Sequence, residues 1–267
     1  MTGLAARVTR VTYTQVARLA FVPLVVGVGV LAFLLHGRAP APAPAPAPPA
    51  KVVPKSPISH DTAKTRAAFD EIYRDATWGS NSEGVGTSGR GSTAHATLLY
   101  RTFLQQFLAD KKITSVVDAG CGDWEFSQTI DWTGIDYKGY DIVDSVVRKN
   151  TERFAKPNIQ FFQADIVETE LPAADLLISK HVLQHLPTSA VEKFLRQLRK
   201  YRHVLLVNGV DRHTLSADNT DIPPGGYRPL DLTQPPFNVE GIKVLTYQDA
   251  TKTMHQVIYI FNPQPER

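Results

Sequence analysis

From Ser115 onward, apolar residues fall into short runs separated by stretches with apolar positions three and four apart. The runs at 115–118, 137–143, 159–164, 174–179 and 203–208 have strand length and are rich in aliphatic and aromatic residues. The intervening segments at about 124–130, 144–154 and 189–200 carry helical spacing. Strand alternating with helix predicts a parallel, doubly wound sheet with helices on its faces. The pattern then changes. Gly209–Phe237 contains five prolines and the pair Gly225-Gly226 without a convincing period. Beyond it, Ile242–Tyr247 and Met254–Phe261 read as two strands joined by a short turn around Asp249–Lys252.

Upstream of the first strand, Thr65–Arg74 places Ala67, Phe69, Ile72 and Tyr73 on one face of a predicted helix. Ser92 or Thr93 caps a second helix, which runs to about Leu108 with Leu98, Leu99, Phe103 and Phe107 on its apolar side. Between them lies a loop rich in Gly and Ser. It lacks the Gly-Lys-Ser/Thr ending of a phosphate loop, because Arg90 is followed by Gly91.

One stretch carries chemistry: Val116-Val117-Asp118-Ala119-Gly120-Cys121-Gly122-Asp123-Trp124-Glu125. A buried strand runs into Asp-x-Gly-x-Gly, and Asp123 is placed to cap a helix through Glu125, Phe126 and Ile130. Glycines let the backbone turn sharply and approach a ligand without a Cβ in the way. In nucleotide-binding sheets a ribose-binding acid lies about 20 residues later, at the end of the second strand. Asp141 stands there. A dinucleotide site wants a small residue at the third position of G-x-G-x-x-G, beside the pyrophosphate. Glu125 occupies that position, which suits a ligand without phosphates and disfavours a nicotinamide-dependent oxidoreductase.

The stretch resembles motif I of the class I S-adenosylmethionine-dependent methyltransferases. The five alternating units and terminal strand pair extend the resemblance over roughly residues 90–261. It implies a Rossmann-like, doubly wound, mostly parallel sheet whose terminal pair is antiparallel, with S-adenosylmethionine as cofactor. Residue by residue, it implies Asp118 near the methionine amino group and Asp141 on the ribose hydroxyls. Asp165 would accept from the adenine amine, between Ile142 and Ile166 on the adenine faces. Gly120 and Gly122 would form the turn itself.

The segment Leu176–Pro187 resembles motif IV and the residues just after that motif, which in the family lie beside the sulfonium and the methyl acceptor. Ser179, Lys180, His181 and His185 are therefore the nearest polar candidates, with Lys180 counted in the cofactor site. His181 or His185 is the candidate general base, histidine titrating near neutrality; packing and backbone hydrogen bonding are the competing roles. Acceptor recognition is expected in the long segment after the fifth strand, from Asp211, Tyr227 and Arg228, with a structural salt bridge as Arg228's alternative. In the family, the segment before motif I often folds over the cofactor, which makes Tyr73, Trp78 and Ser92 candidates for contact. No HxH or HExxH spacing occurs among the eight histidines, so no metal site is expected.

Composition changes the picture at the N-terminus. The formal charge of +3 is misleading, because all six basic residues before Asp61 lack an acidic counterpart. The rest carries a formal −3 (29 Lys+Arg less those six, against 26 Asp+Glu), which makes nucleic acid an unfavoured partner. The single cysteine, Cys121, excludes an internal disulfide.

Leu19–Leu35 is a run of 17 uncharged residues, the short end of what spans a bilayer and longer than the usual core of a signal peptide. The expected organisation is a basic tail over 1–18, a single membrane anchor over 19–35, an Ala/Pro-rich linker over 36–60 and a methyltransferase domain over 61–267. Basic residues flank the span almost equally, which leaves open whether the domain faces the cytosol or, as in type II Golgi enzymes, the lumen. The chain therefore reads as a membrane-tethered methyltransferase. The acceptor is open, with glycan, lipid head group or small molecule favoured. The alternative is a catalytically inactive domain of the same fold, serving as a membrane-bound binding or scaffold module.

Overall fold

A computed structural model describes residues 60–82 and 84–263. The tail, the anchor and all but the last residue of the linker lie outside the described residues. Among the described residues, no helix is long and apolar enough to cross a membrane.

Among the described residues, seven strands form one sheet: β1 Ser115–Ala119, β2 Asp136–Asp141, β3 Ile159–Gln163, β4 Leu176–Lys180, β5 His203–Val210, β6 Ile242–Gln248 and β7 Met254–Phe261. Their spatial order is β3-β2-β1-β4-β5-β7-β6. The first five pair in parallel, and β7 inserts antiparallel between β5 and β6. The sheet is thus the doubly wound, mostly parallel one expected, with an antiparallel terminal pair. Every residue of β4 and β5 is buried, as both faces of central parallel strands are covered. That explains why these strands read as continuous apolar runs rather than alternating ones.

Helices α1 (Thr62–Arg74), α2 (Leu98–Asp110), α3 (Asp144–Phe154) and α4 (Thr188–Leu195) accompany the sheet. Two apolar clusters hold them. One joins Phe69 and Ile72 of α1, Val146 of α3 and Val191 and Phe194 of α4 to β1, β4 and β5. The other packs Tyr100, Leu104 and Phe107 of α2 against Val116, Leu176, Leu205 and Val257. The chain order reverses between β1 and β4, and open α/β sheets bind ligands at the strand ends beside such a reversal.

Three local expectations fail. The helix anticipated over 124–130 is only a 3-10 turn, Ser127–Thr129. Trp124 sits at φ +58°, a left-handed conformation that interrupts a right-handed helix. Burial explains it: the indole packs 5.5 Å from Tyr137, 5.0 Å from Phe154 and 5.3 Å from Phe161, ring centre to ring centre. The helix expected over 189–200 breaks after Leu195 and resumes as a 3-10 turn, Leu198–Lys200. The helix expected from Ser92 or Thr93 starts at Leu98; Thr93 caps only a local turn, its Oγ1 accepting from Ala96 N.

Candidate functional site

The glycine corner lies directly after β1. Gly120 N and Cys121 N both donate to Tyr140 O on β2, at 2.8 and 2.9 Å. Asn150 Nδ2 of α3 reaches Gly122 O at 2.7 Å. Gly120 and Gly122 adopt φ +84° and +56°, where a side chain is strained. Space excludes one as well: a Cβ on Gly120 would lie 2.3 Å from Val182 Cγ2, and one on Gly122 2.3 Å from Ser88 Oγ.

Asp141 ends β2 and braces this corner. Its Oδ2 accepts from Gly122 N and its Oδ1 from Val143 N, both at 3.0 Å. Burial raises its pKa to about 6 despite those bonds. Asp118, inside β1, accepts from Tyr137 Oη at 2.5 Å, and burial raises it further, to about 7. Asp165 lies just past β3, and its Oδ1 accepts from Val167 N at 2.9 Å. Burial works to raise its pKa, but hydrogen bonds from Thr62, Val167 and His60 outweigh that and pull it down.

All three carboxylates line one cavity, together with Gly120, Gly122, Ile142 and Ile166. Tyr73, Trp78, Ser88 and Ser92, from α1 and the loop after it, line the same cavity. The loop is tied to the corner: Tyr73 Oη meets Ser88 Oγ at 2.7 Å, Asp123 N donates to Ser88 Oγ, and Ser88 N donates to Asp123 Oδ2. Asp123, expected to cap a helix, thus holds this flap instead. Clustered acids favour a cationic ligand, and S-adenosylmethionine brings a sulfonium and an ammonium. The three carboxylates in one cavity fit that cofactor.

Lys180 and His181, at the end of β4, border the same cavity. Lys180 Nζ donates to Gly91 O at 2.8 Å and lies 3.1 Å from His181 Nδ1. Burial lowers its pKa to about 7. His181 Nε2 is 2.9 Å from His255 Nδ1 on β7, and His255 Nε2 is 2.8 Å from Asp249 Oδ2 in the β6–β7 turn. His181 is itself strained at φ +58°, its N–H donating to Val207 O. The sequence offered no sign of His255 or Asp249: both fell in the predicted terminal strand pair and its turn, and His181 lies 74 residues from His255.

Other expected site residues stand apart from the cavity. His185 packs against Trp78, ring centres 4.7 Å apart and planes tilted by 38°, and its Nδ1 donates to Gly226 O at 2.7 Å. Burial lowers its pKa to about 4, so it is a neutral packing element and a poor base near neutrality. Arg228 is 3% exposed and turned inward, its guanidinium donating to Thr188 Oγ1, Thr220 O and Leu186 O. Those bonds commit it to fastening the long loop to α4 rather than to a substrate. Asp211 accepts from His213 N and Thr214 N and so shapes a turn. Tyr227 is half-exposed beside the ring of His185. Among the described residues, no group of three His, Cys, Asp or Glu is placed to hold a metal ion.

Comparison with known proteins agrees with this geometry. Residues 116–203 match the family model described as "Methyltransferase domain". No curated protein sequence matches the chain. Among solved structures, magnesium protoporphyrin IX methyltransferase from Synechocystis PCC 6803, solved with S-adenosylhomocysteine, aligns at a TM-score of 0.54 and 17% identity. That alignment covers 76% of this chain and 100% of the other. The N-methyltransferase NodS from Bradyrhizobium japonicum WM9, also with S-adenosylhomocysteine, aligns at 0.53 and 12% identity, covering 74% and 99%. The 1,6-didemethyltoxoflavin-N1-methyltransferase of Burkholderia thailandensis aligns at 0.54 and 14% identity, covering 78% and 94%. At such identities the structural likeness establishes the fold, and the family match adds the activity. The chain contains a methyltransferase domain with the fold of the S-adenosylmethionine-dependent methyltransferases, and methyl transfer from that cofactor is its activity.

Proposed function

We propose that this enzyme methylates a glycan, a lipid head group or a small molecule while tethered to a membrane by Leu19–Leu35. One observation supports the acceptor side: the cavity that gathers Asp118, Asp141 and Asp165 is also bordered by Lys180 and His181. The cofactor supplies an activated methyl on a sulfonium. The protein's part is to hold that methyl in line with the acceptor and exclude water, which supply much of the acceleration in such transfers. Asp118 and Asp141 are assigned to the methionine and ribose portions, Asp165 to the adenine, and Tyr73, Trp78 and Ser88 to the flap over them. The formal −3 of the chain beyond residue 60 speaks against a nucleic-acid acceptor.

The tether reading rests on the uncharged run and the Ala/Pro spacer after it. Ala39–Ala50, taken as polyproline at ~3.1 Å per residue, would give a reach of about 35–40 Å from the bilayer. That distance suits acceptors on or near a membrane.

Two experiments test this. Calorimetry on the full chain in detergent should detect S-adenosylmethionine and S-adenosylhomocysteine but not NAD. Incubation with methyl-tritiated cofactor and separated lipid, glycan and metabolite fractions should then place label in one fraction. Cofactor binding with label in none would point to the inactive scaffold instead. Fractionation, with protease protection of sealed vesicles, tests the tether and the face on which the domain lies.

A further inference from the structure

We propose that Lys180 is the general base of this enzyme, held by a relay through His181 and His255 to Asp249, and that the acceptor atom is a hydroxyl oxygen or amine nitrogen carrying a proton. This deepens the methyl-transfer reading above and rests on it.

The hydrogen bonds run in one direction. Asp249 Oδ1 accepts from Thr251 N and Thr253 N and Oδ2 faces His255 Nε2, so the carboxylate is the fixed acceptor end. Burial works to raise the Asp249 pKa, but the bonds from Thr251 and His255 overcome it and hold the group ionised. His255 Nε2 therefore carries a proton, which leaves Nδ1 to accept from His181 Nε2–H at 2.9 Å. His181 Nδ1 is then left to accept from Lys180 Nζ at 3.1 Å. The two imidazoles lie nearly face to face, 4.4 Å between centres.

This order sets the state of Lys180. A neutral amine has two hydrogens and one lone pair. Gly91 O takes one hydrogen and His181 Nδ1 the other, so the lone pair is the unused direction on a side chain that borders the cavity. Burial, which lowers the Lys180 pKa to about 7, leaves a large neutral fraction at physiological pH. A sulfonium bound in the cavity that Lys180 borders would add a like charge and favour the neutral form further. Burial also keeps His181 well below the ordinary imidazole range, with Lys180 and His255 adding to the effect.

In the step itself, the acceptor's oxygen or nitrogen forms the new bond to the methyl carbon. The carbon–sulfur bond breaks with its electron pair left on sulfur, giving S-adenosylhomocysteine. The acceptor's proton goes to the Lys180 lone pair. The positive charge then rests on Lys180, because burial keeps both His181 and His255 below the ordinary imidazole range; the relay's part is to hold His181 Nδ1 as the acceptor that orients the amine. An acceptor with no proton to lose, such as a tertiary amine or a thioether, would have no use for this arrangement. Other titratable groups face the relay: Asp118 on β1, Asp123 in the glycine corner, Tyr100 on α2, His185 after β4, and Tyr247 and Tyr227 on the hairpin and loop sides. The Asp249→Asn variant separates the relay from these, because it changes charge only at the far end. Asparagine retains an oxygen that can accept from the turn.

The test uses full-length protein in detergent, methyl-tritiated S-adenosylmethionine and an extract of the cells that make it. Label should appear in a hydroxyl- or N–H-derived methyl group. Lys180→Met should lower kcat at least about 100-fold, with the cofactor KM within about threefold. Asp249→Asn should lower kcat about tenfold and move the acid limb of its pH profile to lower pH, because Lys180 loses a nearby carboxylate that raises its pKa. Calorimetric binding of cofactor by each variant shows that it folds, and Asp249→Asn suffices if Lys180→Met does not. Label on an atom that had no proton, or unmoved rates and pH profiles in folded variants, would overturn the relay alone. Absence of transfer by wild-type enzyme that binds cofactor would overturn the methyl-transfer reading and the relay with it.

Discussion

His60 Nε2 lies 2.9 Å from Asp165 Oδ2, and Thr62 Oγ1 donates to the same oxygen at 2.5 Å. The end of the expected linker is therefore built into the domain, at the carboxylate assigned to the adenine. His60 is nearly buried there, its side chain 5% exposed. A chain beginning at His60 should fold, stay soluble and bind cofactor as the full chain does. His60→Ala, or a start beyond residue 60, should cost about 1–2 kcal/mol of stability, in line with loss of a hydrogen bond to a charged group. Chemical denaturation of the three proteins reads the difference. Equal midpoints would show that the contact contributes nothing.

Asp141 has two duties, and its removal should reveal both. Asp141→Ala strips the acceptor from Gly122 N and Val143 N as well as from the ribose. Cofactor affinity should fall at least about tenfold, with about 1–3 kcal/mol of fold stability lost as well. Asp141→Asn should be milder, since one amide oxygen can still accept. Titration calorimetry beside thermal unfolding separates the two effects; unchanged affinity in a folded mutant would take Asp141 out of the ribose site.

Cofactor affinity should rise between pH 5 and 7 and level off above. Burial raises Asp141 to about 6 and Asp118 to about 7, and the bound hydroxyls and cationic groups favour the ionised carboxylates. Each linked proton is worth about tenfold per pH unit below its pKa. Stability of the cofactor-free protein should respond in the opposite sense. With folded pKa values above the unfolded one near 4, the folded state binds more protons, so this contribution is lost as pH rises through 6 and 7. Binding and melting measured across that range check both signs.

Arg228→Ala should act on the fold rather than on the acceptor. Its removal leaves Thr220 O and Leu186 O without their donor and Asp221, 3.7 Å away, without its cation. A loss of about 2–4 kcal/mol in denaturant unfolding is expected, with cofactor affinity and turnover of the folded fraction nearly unchanged. Normal stability with lost turnover would return Arg228 to the acceptor site.

Along the chain, the repeating pattern was enough to place the strands, to make the first five parallel and to name the residues at their ends. Apolar period and glycine placement are local properties, and side chains within a few residues decide them. The spacing of Asp118, Asp141 and Asp165 was legible for the same reason, because a strand–helix unit has a nearly constant length. Trp124 shows where local pattern yields: burying an indole among Tyr137, Phe154 and Phe161 outweighs the helix its neighbours favour. Tertiary structure alone decided that Arg228 points inward, that His60 caps Asp165 across 105 residues, and that Asp249 and His255 stand behind His181. Each of these contacts depends on where packing brings distant segments together, and no periodicity in a single sequence encodes that.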